Sequence, residues 1–107
     1  MELAGVSPKM EEVENYFVST IYNELKTIES NRSLETETII EQALDQLEEL
    51  EEAYNKFLTE LNVEGNQRKV INSMIKNYQQ RLQILENVLK QIEQIKNPNL
   101  INDEIYI

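Results

Sequence analysis

The side chains of this chain that could do chemistry are almost all carboxylates. Twenty Asp and Glu stand against ten Lys and Arg, with no histidine and no cysteine. Without imidazole or thiolate, a zinc site of ordinary type cannot be built and the Glu-x-x-His element of di-iron bundles cannot occur. Ser–His and Cys–His nucleophiles are excluded on the same ground. The acidic run "LEELEEAYNKFLTE" could be imagined around calcium, but it lacks the Asp/Asn/Gly loop such a site uses and reads as the solvated face of a helix. "EGNQRK" holds one interior glycine and no phosphate-binding pattern, so it reads as a cap and turn. Tyr54 and Tyr78 read as a central core layer rather than a ligand platform. The sequence therefore predicts no catalytic residue, no metal ligand, no cofactor and no small-molecule substrate.

What remains is a chain built to fold and to meet other proteins. At 107 residues with two glycines and two prolines, it has the length of one domain and the composition of a helical one. Its net charge of −10 repels phosphate backbones and anionic membrane surfaces, which argues against nucleic acid as a partner. No apolar run approaches membrane-spanning length, and the opening "MELAGVSPKM" lacks the basic and apolar regions of a signal peptide. Any tie to a membrane is expected only through an anchor absent from this chain.

Hydrophobic spacing predicts three helices, at about 8–29, 34–63 and 67–97. The first opens at "SPKMEEVE", with Ser7 as N-cap, Pro8 in the first turn, and Glu11, Glu12 and Glu14 near the positive end of the helix dipole. Met10, Val13, Phe17, Ile21, Leu25 and Ile28 then recur at steps of three and four. "ESNRS" breaks the stripe, and Ser33 or Thr36 can cap the second helix. Ile40 to Leu61 on the second helix and Ile71 to Ile92 on the third form two heptad seams. Each seam residue of one arm has a counterpart equidistant from position 66 on the other, Tyr54 with Tyr78 and Leu50 with Leu82 among them. The chain is thus expected to fold back there, with Gly65 ending one helix and Asn66 capping the next.

Charge selects the same pairing. Residues 34–64 carry ten acidic and one basic side chain (1 − 10 = −9), and residues 66–97 six basic and two acidic (6 − 2 = +4). The predicted fold is all-α, an up-down-up three-helix bundle built on a long antiparallel coiled-coil hairpin, with residues 1–97 as one domain and 98–107 as a tail. In an antiparallel pair the g positions share one side; here Ile39, Ala53, Met74 and Val88 make it the more apolar one. The first helix is expected to dock there, leaving Leu44 and Leu58 partly exposed on the opposite, e side as a candidate partner-binding face. The tail supplies a second candidate in Leu100, Ile105 and Tyr106, which could fold along the base or add to a partner's sheet edge.

The segments "GVSPKMEEVENYFVSTIYNEL", "LEELEEAYNKFLTEL" and "NQRKVINSMIKNYQQRLQILENVLKQIEQIK" resemble, over about residues 3 to 97, the C-terminal region of small membrane-anchored proteins assigned as anti-sigma factors. The resemblance implies a region outside the cytoplasm, periplasmic on an inner-membrane protein, with the sigma-binding part and the membrane helix lying elsewhere in the polypeptide. Outside that resemblance the expected location is cytoplasmic. The leading expectation is a non-catalytic helical protein-interaction module, the extracytoplasmic part of such a transcription regulator. The alternative is a structural coiled-coil assembly protein that self-associates through its helix faces.

Overall fold

The computed structural model describes residues 8–61 and 67–97. The expected N-cap Ser7, the turn residues Gly65 and Asn66, and the tail residues Leu100, Ile105 and Tyr106 lie outside the described residues. Three helices account for nearly everything else: α1 (Pro8–Ser30), α2 (Glu37–Leu61) and α3 (Gln67–Lys96), with no strand among the described residues. The protein is an all-α three-helix bundle. None of the helices is long and apolar enough to cross a membrane.

Helix α2 starts three residues later than the sequence pattern predicts, and the cause is local. The Thr36 amide hydrogen-bonds to the Ser33 carbonyl, and the buried Thr36 hydroxyl accepts from the Ser33 amide at 2.9 Å while donating to the Asn31 carbonyl at 3.1 Å. These bonds hold 33–36 as a turn, so the first helical bond runs from the Ile40 amide to the Thr36 carbonyl. Leu34, at the crest of the turn, is 99% exposed.

The chain runs up, down and up. Phe17 stacks on Tyr78 with ring centroids 5.3 Å apart, and Asn31 accepts from Lys96 at 2.8 Å, so α1 runs parallel to α3. Tyr54 meets Tyr78 and Glu51 lies 3.9 Å from Arg81, which makes α2 antiparallel to both. Both pairs are equidistant from position 66, as the mirrored seams require. Helix α3 is the shared spine: α1 and α2 each run close along it, whereas their own backbones stay apart.

The side on which α1 docks differs from the expected one. Glu24 lies near Glu86, and Glu51 borders a groove with Val18 and Tyr22, all on the e side, while Gln46 and Glu60 on the g side of α2 are exposed. Helix α3 is also turned about its axis. Met74, Asn77, Arg81 and Val88 are buried with Tyr78 and Leu85, while the seam residues Ile75, Leu82 and Leu89 are only half-buried. The physical reason is that α3 has two neighbours. Its buried arc centres on the space between them rather than on α2 alone, so its g positions Met74, Arg81 and Val88 are buried.

Candidate functional site

The middle of the bundle is a polar layer set in aromatic rings. The Tyr54 hydroxyl donates to Glu14 Oε2 at 2.7 Å, the Tyr78 hydroxyl donates to Tyr54 Oη at 3.0 Å and lies 3.5 Å from the same carboxylate oxygen. Glu14 is 3% exposed, and its Oε1 has no hydrogen-bond partner among the described residues. Arg81 lies over both tyrosine rings, 5.2 Å from the centroid of Tyr54 and 4.5 Å from that of Tyr78. Its Nε donates to Asn77 Oδ1 at 3.0 Å, and the Asn77 amide donates to the Leu50 carbonyl at 2.7 Å. Two tyrosines, a carboxylate, an amide and a guanidinium thus link all three helices.

Burial pushes the Tyr54 hydroxyl far above the usual tyrosine range, helped by its hydrogen bonds to Tyr78 and Glu14. Tyr78 is raised as well, chiefly by burial and against the lowering effect of Tyr54 and Arg81. Neither is an acid or base for neutral pH; both are kept as donors. A second seam carboxylate, Glu24, is raised by burial and then by the charge of Glu86, and its Oε2 is buried without a hydrogen-bond partner.

Above this layer the separation of α1 and α2 leaves an open groove of about 350 Å³. One wall is α1, with Val18, Ile21, Tyr22 and Leu25; the other is α2, with Glu51 and Asn55; the floor is Tyr54, Tyr78 and Arg81. Val18 is 45% and Tyr22 61% exposed. The remaining large apolar side chains that stand exposed among the described residues are Tyr16, also on α1, and Leu34. The exposed residues of α2 and α3 are polar throughout. Among the described residues, exposed apolar side chains are therefore concentrated on α1, beside the groove it shares with α2.

The residues singled out from the sequence are placed otherwise. Leu44 and Leu58 are half-buried and packed against the core. Both keep the partial exposure that the sequence pattern predicts. Leu100, Ile105 and Tyr106 lie outside the described residues. Tyr54 and Tyr78 are the expected central layer, and their hydroxyls are engaged within it. No group of His, Cys, Asp or Glu among the described residues could hold a metal ion.

Sequence reasoning missed Glu14, Asn77, Arg81 and the Val18–Tyr22 wall. A signal existed for the first: Met10, Glu14, Phe17, Ile21, Glu24 and Ile28 form a strict run of fours and threes, which puts both carboxylates in core positions. Comparison with family models, with curated proteins and with solved structures returns no match.

Proposed function

We infer that this chain is a non-catalytic helical module that binds a protein partner, and that the groove between α1 and α2 is its binding face. The observation that carries the reading is the pairing of an open seam with exposed Val18 and Tyr22 in a molecule whose other helix surfaces are polar. Two helices that both pack on a third, with their mutual seam unfilled, leave the place that a further helix takes in a bundle. The polar groups beneath it bond to one another except for Glu14 Oε1, which is buried, so the groove offers shape and apolar surface rather than reactive atoms. The sequence resemblance to the extracytoplasmic region of membrane-anchored anti-sigma-factor proteins supplies the setting for this reading: a sensory or assembly part that contacts another protein outside the cytoplasm.

The reading is tested by placing a photo-crosslinking residue at Tyr22 and, as a control, at Gln83, an exposed residue of α3 that does not line this groove, in cells that make the protein. A discrete adduct from position 22 and none from position 83 supports a groove-borne partner. Equal adducts from both positions, or none from either, overturn it.

A further inference from the structure

The groove has two unlike walls, and the difference specifies its occupant. The α1 wall is apolar. The α2 wall is anionic: Glu51 keeps 63% of its side chain exposed although Arg81 lies 3.9 Å away. Glu48, also exposed, is seven residues before the lining residue Asn55 and so shares its face of the helix. Glu52 adds a third exposed carboxylate, against one exposed cation, Lys56, on this stretch. Arg81, on the floor, offsets part of the Glu51 charge from 3.9 Å, whereas no ion pair among the described residues engages Glu48 or Glu52. On α1, Lys26 lies over the Tyr22 ring, 5.7 Å from its centroid, on the opposite bank.

Resting on the reading of the groove as a partner-binding face, we propose that its occupant is an amphipathic helix whose apolar seam is bordered by lysine or arginine. The apolar side chains of that helix enter between Val18, Tyr22 and Leu25 and cover Tyr54 and Tyr78; its cations lie along Glu48 and Glu51. A second copy of this chain is a poorer occupant. Among the described residues its exposed α2 and α3 faces have no apolar side chain to insert and its α1 alone could enter, bringing a net charge of −10 against the same charge. An acidic amphipathic helix would have the seam but would meet the α2 wall with like charge.

The test uses two synthetic amphipathic helices of equal length with the same leucine seam, one bordered by lysines and one by glutamates, each fluorescently labelled and titrated with the full chain at physiological ionic strength. The lysine-bordered helix should bind and the glutamate-bordered one should not. Val18→Glu with Tyr22→Glu, both at exposed positions, should weaken binding of the lysine helix by about tenfold or more, since anchors at the centre of an interface dominate its affinity. That loss is diagnostic, because the two substitutions make the chain more acidic. Simple attraction between a cationic peptide and an anionic protein would grow stronger. Glu51→Lys should weaken the lysine helix and admit the glutamate one, with unchanged circular dichroism in all variants.

Parental or tighter binding of the lysine helix by the Val18→Glu/Tyr22→Glu variant overturns the proposal. So does equal binding of the two peptides, or binding of neither, or a parent dimer that the same variant dissociates. An adduct from position 22 in cells together with failure of the peptide test would sink the basic helix alone and leave the groove as a partner site; absence of that adduct removes the site itself.

Discussion

Replacing Tyr54 by phenylalanine removes one oxygen from the centre of the bundle and leaves the ring in place. The ring keeps its contacts with Tyr78 at 4.9 Å between centroids and with Arg81. What disappears is the 2.7 Å hydrogen bond to Glu14, whose other oxygen already has no hydrogen-bond partner among the described residues. A hydrogen bond to a carboxylate contributes about 1.5 to 3 kcal/mol, and a buried acceptor left without its donor carries the desolvation cost as well. Tyr78 can recover part of this, because its hydroxyl is 3.5 Å from the same oxygen and loses its bond to Tyr54 in the variant. The expected cost is therefore about 2 kcal/mol, a fall in melting temperature of about 8 °C for a chain of this length. Urea unfolding followed by circular dichroism at pH 7 measures it. Glu14→Leu leaves the buried Tyr54 hydroxyl without its acceptor and should itself cost about 1 to 3 kcal/mol, and Tyr54→Phe in its background removes that stranded donor and should cost no more than about 0.5 kcal/mol. Additivity of the two changes would mean that Glu14 and Tyr54 do not depend on one another and would refute the account of the central layer.

Glu24 tests the second buried carboxylate. Its folded pKa is raised, so the ionised side chain costs stability in full above that value, and the cost fades as pH falls from the folded value to the unfolded one and is absent below it. Glu24→Gln should then raise the melting temperature at pH 7 and give no gain at pH 3; an equal gain at both would point to packing instead. Tyr54 and Tyr78 are also raised, and the sign for them appears at the alkaline end. Above about pH 10 the unfolded chain releases protons that the folded one retains, so stability falls with pH by up to about 1.4 kcal/mol per unit for each tyrosine. Urea midpoints at pH 9 and 11 should show this fall, and the Tyr54→Phe/Tyr78→Phe variant should show less of it. Thr36→Val keeps the shape of a fully buried side chain but strands the Ser33 amide and the Asn31 carbonyl. A loss of about 1 to 3 kcal/mol is expected, and a neutral result would mean that water replaces the hydroxyl.

The three helices were legible because hydrophobic spacing is a local property, and the antiparallel register of α2 on α3 was legible because both seams are regular enough to mirror each other. The docking side of α1 was not. It depended on counting apolar g positions such as Ile39 and Met74 as a surface awaiting cover, whereas burial of Met74 comes from the rotation of a helix that serves two neighbours. The groove was hidden for a related reason: Val18 and Tyr22 are two isolated residues in the sequence and become a wall only when α1 and α2 stand apart over the central tyrosines. Glu14 was visible in the spacing but was assigned to the helix dipole, because near a helix start a glutamate satisfies both patterns. The start of α2 was missed because the side-chain bonds of Thr36 outcompete a helical turn that the spacing alone allows.

The position of α3 as shared spine also orders events in time. The α2–α3 pairing joins residues close in sequence, such as Tyr54 and Tyr78, whereas α1 reaches α3 only across most of the chain, as Phe17 does to Tyr78. Closing the shorter loop costs less entropy, so the hairpin is the element that forms first and α1 is added to it. The same asymmetry holds in reverse. Helix α1 can lift away without unpairing α2 from α3, since its backbone runs close to only one of them. Its departure uncovers Tyr54 and Tyr78, so the amide protons of α1 should exchange with solvent ahead of those of α3. The helix that carries the apolar wall of the groove is thus the one whose attachment sets how long the groove exists.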